Sequence, residues 1–408
     1  MDLNNLLKKY ADLIIKTGIN VQPGQTIILY ADVDQAPLAR LIVEAAYAAK
    51  ANEVILKWND PIIQRQYLQN TSVDRLQHPY EFEKVAAKEL MDKHASRISL
   101  LSASPEALNG IDPQRIHISQ TAQSKVKQPV TKATMNNDIS WLVVAGASLE
   151  WAQKVYPNLS NQEALNKLWE SILTISRVTL DEPNRAWQEH IKFLNQRAKW
   201  LNDYQFDALH YRSDQTDLTI GLPENHLWEG AGSNDKAGNF FVPNIPTEEV
   251  FTAPDYRRID GVVAATYPLS NNGQLITNIK LTFKDGHVIK ATADQGADFL
   301  NQLIKTDVGA SSLGEIALVP EDSPIAKTKT IFYNTLFDEN ASDHLALGAA
   351  YPFSIQNGTN MDANQLKEVG LNQSEIHVDF MIGSNKMNID GITKDGQKIP
   401  IMRNGNWV

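Results

Sequence analysis

Thr26-Ile27-Ile28-Leu29-Tyr30, the segment Pro37 to Ala49, and Glu53-Val54-Ile55-Leu56-Lys57-Trp58 decide the first half of the fold. Two short apolar runs flank a segment in which Leu38, Leu41, Ile42, Ala45, Ala46 and Ala49 recur at helical spacing, behind a proline suited to a first helical turn. This is a β-α-β unit with two buried strands, and such units build parallel sheets with right-handed crossovers. Asp32 and Asp34 fall at the carboxyl end of the first strand, where ligands of these sheets usually sit. No glycine-rich phosphate loop follows, so the two aspartates are read as caps of the next helix.

Upstream, Leu3, Leu6, Leu7, Tyr10, Leu13 and Ile14 predict a helix ended near Gly18, and the segment lacks the pattern of a signal peptide. Downstream, a helix is expected around Tyr80 to Lys93, strands near Arg97 to Leu101 and Trp141 to Ala145, and helices over Asn161 to Ser176 and Pro183 to Leu201. Residues 1–185 therefore read as an α/β domain with a parallel sheet. Beyond Asp207 the pattern changes to short strands, at Ala208 to Arg212, Asp217 to Gly221, Gly261 to Thr266, Gly273 to Phe283 and His287 to Thr292. Turn residues such as Asn271-Asn272-Gly273 and Asp285-Gly286 separate them. Helices over Asp294 to Lys305 and around Asn340 to Gly348, and a last hairpin at Asp395-Gly396, complete residues 186–408 as an α+β domain of mainly antiparallel strands.

With 408 residues the chain exceeds what one hydrophobic core usually serves, and 42% hydrophobic and 21% charged residues are those of a soluble globular protein. A net charge of -10, from 38 basic and 48 acidic residues, opposes the counterion release on which nucleic-acid binding depends. No run is long enough to span a membrane, and a cytoplasmic protein is expected. There is no cysteine, so any metal must be held by His, Asp and Glu.

Such a site is suggested by Glu375-Ile376-His377-Val378-Asp379-Phe380-Met381-Ile382-Gly383. Alternation along a strand turns Ile376, Val378, Phe380 and Ile382 to a core face and aims His377 and Asp379 together from the other. The pair is either a satisfied hydrogen bond at a core rim or half of a metal site, depending on what other segments bring. The proline-bounded segment Pro243 to Pro254 offers Glu248 or Glu249, which as neighbours cannot both face one point. Glu315 opens an otherwise apolar strand, and a buried glutamate needs a partner. His344 is expected in the second turn of a small-residue helix, converging with Glu339 only if Glu339 precedes that helix. Glu249, Glu315, Glu339, His344, His377 and Asp379 together suit two divalent ions, zinc, cobalt or manganese. Most of the remaining histidines, His190 and His210 among them, have no matching carboxylate partner in the sequence and are read as structural or solvent-facing.

Four segments, Pro243 to Pro254, Gly314-Glu315, Asp338 to Ser342 followed by His344 to Gly348 and Tyr351-Pro352, and Ile376 to Gly383, resemble the aminopeptidase T / aminopeptidase S family of metallopeptidases, including the PepS-type enzymes of lactic acid bacteria. The likeness extends over the whole chain. It implies metal ligation by Glu249, Glu315, Glu339, His344, His377 and Asp379, Tyr351 as a catalytic hydrogen-bond donor, and a homodimer that partly closes the catalytic cavity. The expected activity is removal of N-terminal residues from short peptides, with Glu315 accepting a proton from water. The alternatives are another dinuclear hydrolase, an amidase or phosphoesterase, and a peptide-binding protein without turnover.

Overall fold

The fold was analysed in a computed structural model that describes residues 2–102, 104, 106–271 and 274–408. The chain forms two compact units, one of residues up to Glu189 with Gly232–Pro246, the other of His190–Ala231 with Thr247–Val408. The turn expected at Asn272-Gly273 lies outside the described residues.

The first unit is built on a five-stranded parallel sheet in the order Glu53–Asn59, Thr26–Asp32, Ser96–Leu101, Trp141–Ala145 and Asn244–Ile245. Ile27, Ile28 and Leu29 are fully buried, and the helix Ala36–Ala48 that follows buries Leu38, Ile42 and Ala46. Glu53–Asn59, expected to be buried, is instead the edge strand, and Trp58 on it is exposed. Asp32 and Asp34 do not cap the helix. Asn59 Nδ2 and Ser102 Oγ donate to Asp32 at 2.7 and 2.9 Å, and Ser102 Oγ lies 3.1 Å from Asp34, so the pair ties strand ends together.

The helix Pro113–Met135, with Pro129 inside it, has no counterpart in the sequence reading. Its buried stripe is only Ala122, Val126, Val130, Ala133 and Thr134, too thin to stand out among polar residues.

The second unit holds an eight-stranded antiparallel sheet in the order His287–Thr292, Lys280–Lys284, Ile259–Ala264, Asp217–Gly221, Ala208–Arg212, Asn388–Ile392, Lys398–Arg403 and Asn406–Trp407. A separate four-stranded antiparallel sheet runs Val250–Thr252, Leu313–Leu318, His344–Gly348 and His377–Met381. One core joins them: Leu209, Ile220 and Leu281 of the larger sheet pack in the same cluster as Ile316, Leu345 and Phe380 of the smaller. The antiparallel α+β character expected of this half is what the structure shows.

One element differs. The expected helix around Asn340 to Gly348 is a short helix Thr335–Asp338, one 3-10 turn Glu339–Ala341 and then the strand His344–Gly348. Ala and Leu favour a helix locally, but this strand is buried along its whole length between two neighbours, and burial between strands overrides propensity.

Candidate metal centre

The apolar face of the four-stranded sheet, with Ile316, Leu318, Leu345, Leu347, Val378 and Phe380, is committed to the core. Its opposite face carries the polar groups. Phe251, Ala317, His344 and Met381 form one cross-strand row, and Glu315, Ala346 and Asp379 the next. Directly opposed residues project to one side of a sheet, and the two alanines leave room above it. Gly314 makes this alignment possible. The pairing slips by one residue between Leu313 and Glu315, a bulge without which Glu315 would point into the core. A Cβ at Gly314 would stand 2.3 Å from the Ala349 carbonyl oxygen, so only glycine fits.

Two groups of donor atoms converge on this face, Glu249 with Glu315 and His344, and Glu315 with His377 and Asp379. Glu315 belongs to both. Its Oε1 lies 3.6 Å from His344 Nε2 and its Oε2 3.5 Å from His377 Nε2. Glu249 Oε2 stands 3.2 Å from His344 Nε2, and Asp379 Oδ1 3.4 Å from His377 Nε2. Adjacent Glu248 turns away, as neighbours on an extended segment must, and pairs with His190 at 3.5 Å. Glu339 lies outside both groups, beside them on its 3-10 turn, yet its carboxyl feels the charges of Asp379, Glu249 and Glu315. Tyr351 packs its ring 5.1 Å from the His377 imidazole.

The tautomers are fixed from behind. His344 Nδ1 lies 3.1 Å from the Ser342 carbonyl oxygen and His377 Nδ1 2.8 Å from that of Ala349. A carbonyl only accepts, so each Nδ1 carries the proton, and in the neutral ring each Nε2 presents its lone pair to the carboxylates.

Electrostatics show how unbalanced the cluster is without a cation. Burial pushes the Glu315 and Glu339 carboxyls up, and the neighbouring carboxylates push the same way. Burial would depress His377, but the charge and contact of Asp379 and the charge of Glu315 raise it to about 9. His344 is likewise raised against burial by Glu249 and Glu315, while Asp379 is lowered against burial by His377. The cluster thus sets several buried carboxyl groups against only two imidazoles.

The donor set fits a metal. Nitrogen and carboxylate oxygen suit zinc, cobalt or manganese. Asp379 Oδ1 is buried with no hydrogen bond, the state expected of a ligand atom whose partner is a cation. Among the described residues these are the two groups of three or more such donors.

The sequence reading missed two pairings. His190 and His210, taken as lacking carboxylate partners, have them in Glu248 and, at 2.8 Å, Asp217. It also missed the aromatic wall of Phe251, Tyr351 and Phe353, with Tyr351 and Phe353 stacked at 5.2 Å. Neither has a sequence signal, since each depends on how strands and loops pack in three dimensions.

Comparison with known proteins identifies the family. The family described as "Thermophilic metalloprotease (M29)" matches residues 3–407. Aminopeptidase PepS of Streptococcus thermophilus is 50% identical over 403 residues and aminopeptidase AmpS of Bacillus subtilis 45% over 401, each alignment covering 98% of both chains. Aminopeptidase T of Thermus aquaticus is 38% identical over 402 residues, again with 98% of both chains covered. The solved structure of wild-type AmpT from Thermus thermophilus matches with a TM-score of 0.94 at 36% identity, covering 100% of each chain. The chain belongs to the thermophilic metalloprotease (M29) family.

Proposed function

We propose that this chain is a metal-dependent aminopeptidase whose site takes two divalent ions and removes N-terminal residues from short peptides. The observation that carries this reading is Glu315, one carboxylate turned to two imidazoles whose Nε2 atoms are both unprotonated in the neutral ring. Glu249 and His344 would hold one ion, His377 and Asp379 the other, with Glu315 between and Glu339 completing the set. When bound, such a pair supplies Lewis-acid polarisation of the scissile carbonyl and a water of lowered pKa.

The chain's own residues do the rest. The acidic cluster attracts the free α-ammonium of a peptide, which fits exopeptidase action. Tyr351 stays protonated at neutral pH, since burial first and then the neighbouring carboxylates raise its phenol well above the ordinary value, so its O–H can donate to the developing oxyanion. Glu315 is our first assignment for the group that takes the proton of the attacking water. Because both its oxygens face imidazoles, a second reading leaves Glu315 purely bridging and gives the proton to Glu339, which stands outside both donor groups.

Among the described residues, no helix is long and apolar enough to cross a membrane. The family likeness supports a cytoplasmic homodimer with a cavity closed to folded proteins. Unblocked dipeptides, the same peptides N-acetylated, and a phosphate ester, each assayed before and after chelation, test the activity. Metal-dependent hydrolysis of the unblocked peptides alone is expected. Cleavage of the phosphate ester would support the dinuclear phosphoesterase alternative, and peptide binding without turnover would remove the enzyme reading.

A further inference from the structure

Strand pairing holds Glu315, His344, His377 and Asp379, each of which has a partner in the ladder of the four-stranded sheet. Glu249 and Glu339 have none there. Glu249 stands one residue before the ladder, which begins on its strand with Val250 opposite Leu318, and Glu339 opens the 3-10 turn Glu339–Ala341. Register fixes neither carboxylate, so another contact must.

Asn340 is placed to make it. It is fully buried, on the same turn as Glu339. Its Oδ1 accepts the backbone N–H of Glu248 at 2.7 Å. Its Nδ2 donates to the Leu336 carbonyl oxygen, in the short helix Thr335–Asp338, at 3.0 Å and lies 3.5 Å from Glu339 Oε1. Ser323 Oγ donates to the Asn340 carbonyl oxygen at 3.4 Å and anchors the backbone.

These partners leave the amide one orientation. A backbone N–H must face the amide oxygen, and a carbonyl oxygen must face the amide nitrogen. The oxygen therefore serves the Glu248 side and the nitrogen the side of Leu336 and Glu339. Glu248 turns its own carboxylate to His190, so the bond at its N–H sets the backbone from which Glu249 reaches Glu315 and His344. Turning the amide away would leave buried polar groups unpaired, which holds it in place.

We propose that Asn340 is a positioning residue of the metal centre: its amide ties the Glu249 segment to the Glu339 turn and fixes both carboxylates beside the strands that carry Glu315, His344, His377 and Asp379. The assignment rests on the two-ion reading above and deepens it.

The test loads the protein with cobalt(II), whose visible absorption reads ligand geometry, and compares wild type with Asn340→Asp and Asn340→Ala. The first variant keeps an acceptor for the Glu248 N–H and loses the amide nitrogen beside Glu339. The second loses both. Cobalt affinity is expected to fall by about 10- to 100-fold in Asn340→Ala, with a changed visible spectrum, and by less in Asn340→Asp. A merely structural role would lower the denaturation midpoint but leave the affinity and spectrum of the folded protein as in wild type, and that result overturns the assignment. A crystal structure of cobalt-loaded wild type decides even if neither variant folds. There the Glu248 N–H must stay on Oδ1 with Nδ2 beside Glu339, and an amide turned from either overturns the assignment. Wild type that binds no cobalt removes the two-ion reading and this assignment with it. Wild type that binds two equivalents, beside variants that bind them as tightly, removes the assignment alone.

Discussion

The Nδ1–H of His377 donates to the Ala349 carbonyl oxygen at 2.8 Å, and this bond decides what the other ring nitrogen can do. Ala349 follows directly on the strand His344–Gly348, which pairs with the His377 strand, so the sheet holds the imidazole in a chosen tautomer and orientation. The orientation of the imidazole is a property of strand register.

In the metal-free protein His377 is raised to about 9, so at neutral pH it carries a proton that must leave before Nε2 can ligate. Metal affinity is therefore expected to rise with pH below about 9 by at least about tenfold per unit, since His344, also raised, must release its proton too, a slope that calorimetric titration at several pH values reads directly.

The same proton stabilises the metal-free fold. The folded-state value lies above the ordinary 6.5, so this contribution is complete below about pH 6.5 and is lost as pH rises through about 9. Denaturant melts of chelated protein should lose on the order of 3 kcal/mol across that window. Metal-loaded protein, with both imidazoles already neutral, should show no such loss.

Glu315 and Glu339 are separable. Glu315→Gln is expected to lose metal and activity together, because Glu315 is common to both donor groups. If Glu339 takes the proton, Glu339→Gln keeps its metal and loses kcat by about 10²- to 10⁴-fold. If Glu315 takes it, Glu339→Gln lowers metal occupancy and kcat in proportion. Elemental analysis beside kcat separates the two.

Tyr351→Phe removes one hydrogen-bond donor and no ligand. A fall in kcat of about 10²- to 10³-fold with metal content unchanged is expected if Tyr351 serves the oxyanion.

Gly348 holds φ +105°, and a Cβ there would stand 2.1 Å from the Ile376 carbonyl oxygen. Gly348→Ala should cost about 2 kcal/mol or more in denaturant melts, and it should weaken metal binding without touching a ligand, since Gly348 pairs with His377.

Much of this was legible in residue order. Thr26 to Tyr30 announces a buried strand because both its faces are apolar, and His377 and Asp379 announce a shared face because a strand has period two. What stayed hidden was set by partners far away in sequence. His344 looked helical because Leu345, Ala346 and Leu347 favour helices locally, and only pairing with Ala317 and Met381 makes the segment a strand. Glu53 to Trp58 reads as apolar whether central or at an edge.

A two-ion site sharing Glu315, as proposed, is tested most directly by metal stoichiometry against activity. Chelated protein reloaded with zinc, cobalt or manganese should bind two equivalents per chain. Hydrolysis of an unblocked dipeptide should reach its full rate only as the second equivalent binds. Full activity at one equivalent, or undiminished hydrolysis by metal-free protein, would contradict it.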